Sequence, residues 1–222
     1  YGLPEQTTAQ WLKNLEAAAA LSPEHLSCYG LKAEEGTPLY AQRERLPGEE
    51  TQAQMYLKTI KFLENTGFLQ YEISNFAKPG RESRHNLKYW TLGEYAGRYA
   101  WTRDLPGWLA GRPALSEHQE LPPESRAAEW LMLGLRTAYG LDPADYEKRF
   151  HKPFAPYLPF LRRCEEAQYA RRINGRWRLT PQGFLVSNPI IGELLDILAS
   201  GPSVPTAGCN SPPPCPGGVL PQ

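Results

Sequence analysis

The first clear pattern along the chain is apolar residues at helical spacing. Trp11, Leu12, Leu15, Ala18 and Ala19 fall on one face of a helix. Thr7 and Gln10 stand before them at the spacing of a capping box, in which two side chains satisfy the first free backbone N–H groups. "YGLPEQT" ahead of the cap reads as the end of a strand entering a turn and then a helix. A chain that starts at Tyr1 in the middle of such a unit is expected to be part of a longer protein. Residues 25–31, "HLSCYGL", form a short apolar run of strand type. A polar connection with turn signals at 36–38 and 47–48 follows. Ala53, Tyr56, Leu57, Ile60 and Leu63 then mark a second amphipathic helix, with Gly67 placed to cap its C-terminus. "GFLQYEISNFA" after it is again strand-like. Strands alternating with amphipathic helices predict an α/β architecture with parallel strands.

The pattern changes after residue 112. "ALSEHQELPPES" reads as a linker. Ala127, Trp130, Leu131, Leu135 and Ala138 mark one helix, and Phe160, Leu161, Cys164 and Ala167 another. "YARRINGRWRLT" places Asn174-Gly175 between two strand-like runs, the strongest short-range signal for a hairpin. "TPQGFLVSNPIIGELLDILA" is a final helix expected to bend or break at Pro189. Helices, a hairpin and a closing helix over 120–200 predict a small winged-helix-like domain. The Pro/Gly/Ser-rich residues 201–222 cannot form a core and are expected to be a disordered tail.

Composition narrows the function classes. With 24 Lys and Arg against 24 Asp and Glu, the formal net charge is zero, which argues against a polyanion-binding surface over the whole molecule. No run approaches the roughly 18 apolar residues of a membrane span, and the chain opens with no signal-peptide pattern. The cysteines Cys28, Cys164, Cys209 and Cys215 form no CxxC pair. Cys28 and Cys164 are read as buried thiols in a reducing compartment, hence a cytoplasmic protein, and the other two belong to the tail.

Candidate chemistry centres on "SRHNLKYW", where His85 stands among an amide, a lysine and two large aromatics. By itself this is a loop histidine, with His85 and Asn86 capping the loop while Tyr89 and Trp90 pack. His25, His118 and His151 lie in ordinary loop or boundary settings. Glu34 and Glu35 have the form of a catalytic carboxylate pair, but such a pair is more often a solvated turn. Arg162, Arg163, Arg171, Arg172, Arg176 and Arg178 cluster on the expected helix and hairpin, so a winged-helix nucleic-acid-binding module is a rival reading. Glu165 and Glu166 interrupt that basic stretch.

"YGLPEQT", "HLSCYGLKAEEGTPLY", "QYEISNFAKPG", "RHNLKYW" and "GRWRLTPQGFLVSN" together resemble one family. They look like the HemW branch of the oxygen-independent coproporphyrinogen III oxidase family of radical SAM proteins, from Tyr1 to about Leu198. The resemblance implies the C-terminal part of an incomplete (β/α)6 barrel over 1–112, followed by a small helical, winged-helix-like domain over 120–200. "HNLKYW" matches an HNxxYW signature that separates HemW-like heme chaperones from true coproporphyrinogen oxidases. It implies that His85, Asn86, Tyr89 and Trp90 bind heme, with His85 as a ligand of the iron and the two rings offering flat apolar surface. The implied function is heme binding and delivery to a recipient hemoprotein in the cytoplasm, with porphyrin biosynthesis by the oxidase as the alternative. No nucleic-acid partner is implied. Lys32 is placed in the vicinity of the S-adenosylmethionine site. The family's [4Fe–4S] cluster is held by a CxxxCxxC loop that this sequence lacks, and its glycine-rich strand and turn after "LGEY" are missing here as well. The cluster and S-adenosylmethionine are therefore not expected to bind this chain.

Overall fold

A computed structural model of the chain describes residues 1–91, 97–112 and 114–201, with the side chains of 97–99, 117–120 and 123 left aside. The "LGEY" segment, the shortening after Tyr95 and the tail at 202–222 with its two cysteines lie outside the described residues.

Helix α1 (Thr8–Ala20) starts from the capping box read in the sequence: the Thr7 side chain accepts from the Gln10 N–H while the Gln10 side chain accepts from the Thr7 N–H. Strand β1 (His25–Ser27) follows. A 3₁₀ helix (Pro38–Arg45) then leads to α2 (Glu49–Asn65), which buries Met55, Tyr56, Ile60 and Leu63. Beyond Gly67, held at φ 87°, come β2 (Leu69–Gln70) and β3 (Asn75–Ala77).

These strands form a sheet in the order β1-β3-β2, and both neighbouring pairs are antiparallel. The expected parallel pairing is therefore corrected here. The turn between Gln70 and Asn75 is too short for the crossover of a dozen or more residues that parallel neighbours need. Parallel geometry survives at the other edge. The Tyr1 nitrogen donates to the Tyr29 carbonyl (2.8 Å) and the Tyr1 carbonyl accepts from Leu31 N–H (2.7 Å), the bonding pattern of a parallel ladder.

Residues 83–90 form not a loop but helix α3 (Arg84–Trp90). Strand β4 (Gly97–Trp101), helix α4 (Leu105–Leu109) and strand β5 (Leu115–Glu120) come next, and β4 pairs antiparallel with β5. The expected linker thus contains a strand: the polar alternation of "SEHQE" was legible as a strand only once a partner for its backbone was known.

Helices α5 (Pro123–Leu135), α6 (Pro143–Phe150) and α7 (Leu158–Glu166) precede strands β6 (Ala170–Ile173) and β7 (Arg176–Leu179). Asn174 at φ 51° and Gly175 at φ 81° make the hairpin turn, both in the left-handed region such a turn requires. Helices α8 (Pro181–Leu185) and α9 (Ser187–Ser200) close the chain. The break falls at Val186, not at Pro189. Proline in the first turn of α9 lacks only an N–H that has no intrahelical partner there, so it starts the helix without disrupting it.

The two halves share one core. Leu15, Phe68 and Phe76 belong to the same buried cluster as Leu131, Tyr146, Trp177 and Leu194. The Ala138 N–H donates to the Tyr71 carbonyl at 2.9 Å, fastening the sheet to the segment after α5.

Candidate functional site

Alternation along β1 and its extension sorts the side chains. Leu26 and Cys28 turn to the core, whereas His25, Ser27 and Tyr29 share the other face. Asn75 pairs with Ser27 across the sheet, so it joins that polar face. The Ser27 hydroxyl donates to Asn75 Oδ1, and Asn75 Nδ2 donates to the Tyr29 phenol at 3.2 Å. Glu72 lies beside them, almost fully buried, with Oε1 accepting from the Ser74 N–H at 3.0 Å. Its burial raises the carboxyl pKa above the ordinary range, and hydrogen bonds from Asn75, Ser74 and Ile73 oppose that shift.

Tyr71 connects this face to α3. Its ring is 3% exposed. Its hydroxyl lies 2.8 Å from His25 Nε2 and accepts from Asn86 Nδ2 at 3.2 Å. Burial raises the phenol pKa and lowers that of His25.

Helix α3 begins because the Ser83 hydroxyl accepts from the Asn86 N–H (3.3 Å), and it ends where the Thr91 hydroxyl turns back to the Leu87 carbonyl (2.7 Å). Ser83, rather than His85 or Asn86, is thus the cap. Helical spacing then divides the four candidate heme residues into two pairs. His85 and Tyr89 stand one turn apart on the exposed face, edge to face with centroids 5.1 Å apart. Asn86 and Trp90 stand one turn apart on the inner face, where Trp90 packs on the core and Asn86 reaches Tyr71. The two aromatics therefore do not make one flat surface. Lys32 is exposed and pairs with Glu34 at 3.5 Å, which leaves Glu34 and Glu35 on a solvated turn.

His25, Tyr71, Ser27 and Asn75 were missed as site residues. The available signal was the two-residue alternation of His25, Ser27 and Tyr29 against Leu26 and Cys28, on a strand too short to stand out. The basic cluster of the C-terminal half is partly consumed by structure. The Arg176 guanidinium pairs with Asp142 at 2.9 Å and donates to the Tyr139 carbonyl. Arg162, Arg163, Arg171 and Arg172 remain exposed.

The described residues do not fit an iron–sulfur cluster. Cys28 and Cys164 are single buried thiols on separate elements, and burial pushes each up to about 11, away from the thiolate a cluster needs. Among the described residues no group of three His, Cys, Asp or Glu is placed to hold a metal ion. No helix among them is long and apolar enough to cross a membrane.

Comparison with known proteins adds the following. Residues 121–186 match the model of the HemN C-terminal domain. The heme chaperone HemW of Bacillus subtilis is 30% identical over 217 residues, covering 88% of this chain and 57% of that protein. HemW of Synechocystis is 36% identical over 164 residues, covering 63% of this chain and 39% of its own length. The mitochondrial radical S-adenosyl methionine domain-containing protein 1 of Bos taurus is 36% identical over 139 residues, or 60% of this chain and 31% of that protein. The chain thus spans at most just over half the length of these relatives. Among solved structures, Escherichia coli coproporphyrinogen III oxidase (HemN), a radical SAM enzyme, superposes with a TM-score of 0.65 at 20% identity, covering 86% of this chain and 52% of that one.

Proposed function

We propose that this chain, which matches the HemN C-terminal domain over residues 121–186 and is similar to HemW of Bacillus subtilis, is a HemW/HemN-like radical SAM family protein that binds heme on α3, with His85 as a ligand of the iron and Tyr89 against the porphyrin. The observation that carries this reading is the exposed pair of His85 and Tyr89, one helical turn apart and in ring contact. Imidazole is a good axial ligand for heme iron, and an exposed tyrosine ring offers apolar surface at low entropy cost. Asn86 and Trp90 support the helix from beneath instead of touching the porphyrin. A heme held there by His85 would lie on the surface, within reach of a recipient hemoprotein, which suits a role like that named for the HemW relatives.

In this reading residues 1–112 are the barrel-derived region that carries the heme helix, and 120–200 are the C-terminal domain that buttresses it. The free thiols of Cys28 and Cys164 suit a reducing compartment such as the cytoplasm. The oxidase alternative draws on the structural likeness to HemN, which at 20% identity speaks for the fold alone.

The test is a heme titration followed by absorbance on the parent and on His85→Ala. A saturable Soret shift that weakens at least tenfold in the variant, about 1.4 kcal/mol, is the expected result. Equal behaviour of the two proteins, or no shift in either, would sink the reading.

A further inference from the structure

Helix α3 has only 7 residues, below the roughly 12–15 at which even favourable isolated helices become marginal in water. Its existence and its rotation about its own axis must therefore come from what it rests on. Trp90 supplies apolar packing, which fixes a helix against a surface but tolerates sliding and rolling. A directional contact is needed to choose one rotation, and the inner face supplies it in the hydrogen bond from Asn86 Nδ2 to the Tyr71 hydroxyl.

Tyr71 is suited to that task because it is fixed on every side. Its N–H donates to the Asn75 carbonyl (3.1 Å) and its own carbonyl accepts from Ala138 (2.9 Å). The ring is buried, and His25 holds the hydroxyl at 2.8 Å. The proton positions follow from the donors. Asn86 Nδ2 can only donate, so the phenol oxygen accepts from it. The other partner of the hydroxyl is His25 Nε2, which takes the phenol proton when the imidazole proton sits on Nδ1. A continuous chain of hydrogen bonds thus runs from β1 through Tyr71 into α3.

We propose that Tyr71 is the positioning residue of the heme helix: it sets the rotation of α3 through Asn86, and so the direction in which the neighbouring His85 presents its imidazole. Asn86 acts as the link and His25 as the support that orients the phenol. The inference rests on the heme-binding reading of α3 for its functional half. Its structural half stands without heme.

The experiment uses Tyr71→Phe, which removes one oxygen and keeps the ring, together with Asn86→Ala and the double variant. The first readout is amide hydrogen exchange without heme. The Leu87 and Thr91 amides, which close the α3 turns, should exchange at least tenfold faster in each single variant, no faster still in the double, and those of α2 should not change. Unchanged exchange in α3 overturns the proposal whether or not heme binds. The second readout is ferric heme. Tyr71→Phe should bind several-fold more weakly and give a mixture of ligation states by electron paramagnetic resonance, in contrast to one species in the parent. Parent-like affinity and spectrum overturn the positioning of His85. Faster exchange in a protein whose parent takes no heme leaves Tyr71 as the support of α3 and removes the proposed function instead. His85→Ala separates the two roles, since it should abolish the ligand signature without loosening α3.

Discussion

Two buried tyrosine systems in this molecule use the same group for opposite ends. In the C-terminal half the hydroxyls of Tyr146 and Tyr157 bond to each other at 2.9 Å, surrounded by Trp130, Phe150 and Phe154. That pair closes on itself, and its polar atoms satisfy one another inside an aromatic core. In the sheet, Tyr71 also hides its ring, but its hydroxyl bonds outward to His25 on one side and to the exposed helix α3 on the other. The first system stabilises the fold. The second transmits the rigidity of the fold to a surface element that cannot hold itself. The contrast teaches that burial of a phenol does not tell its role. The partner of its oxygen does.

The comparison can be broken most forcefully from the C-terminal side. Tyr146→Ala opens a cavity among four aromatic neighbours and is expected to cost about 3–5 kcal/mol, as large aromatic truncations do. Denaturant unfolding checks it, and a loss below about 1 kcal/mol would mean that this cluster is not the main core. Tyr157→Phe is subtler. It leaves the buried Tyr146 hydroxyl without the Tyr157 hydroxyl it bonds, a penalty of about 1–3 kcal/mol in stability with heme affinity unchanged. A change in heme affinity in that variant would merge the two systems. His85→Ala should show the converse: stability within about 0.5 kcal/mol of the parent, as for exposed positions, with the loss confined to heme.

The smallest effect is a pH dependence. Burial holds the His25 pKa below its ordinary 6.5. As pH falls, the unfolded chain therefore takes up this proton first. The stabilising contribution is complete above about 6.5 and is lost as pH falls from there toward the lowered folded value. Melting midpoints between pH 8 and 5 should fall less steeply for His25→Gln than for the parent. Tyr157→Phe should keep the parent's slope, and equal slopes for His25→Gln and the parent would remove His25 from the Tyr71 chain.

How much of this was legible beforehand depends on the reach of each signal. Thr7 with Gln10, Gly67 and Asn174-Gly175 act on their immediate neighbours, so their local chemistry named the helix start, the helix end and the hairpin. Val186 rather than Pro189 breaks the last helix for an equally local reason, because proline is harmless in a first turn. Helix α3 escaped because 7 residues give too little periodicity to separate a helix from a loop. The strand at Leu115–Glu120 escaped because its partner lies on the far side of α4.

The sequence by itself determined the amphipathic helices, the caps, the turns and the resemblance to one family, since these are written in short-range spacing and in motifs that lie contiguous along the chain. It also singled out His85 as the residue to test. Only the tertiary structure decided that His85 and Tyr89 face outward while Asn86 and Trp90 face in, and that Tyr71 and His25 stand behind them. The physical reason is distance along the chain. His25 and Tyr71 are 46 positions apart, and so are Tyr29 and Asn75. A hydrogen bond between such residues exists only after the core has brought their strands together, so no local pattern could announce it.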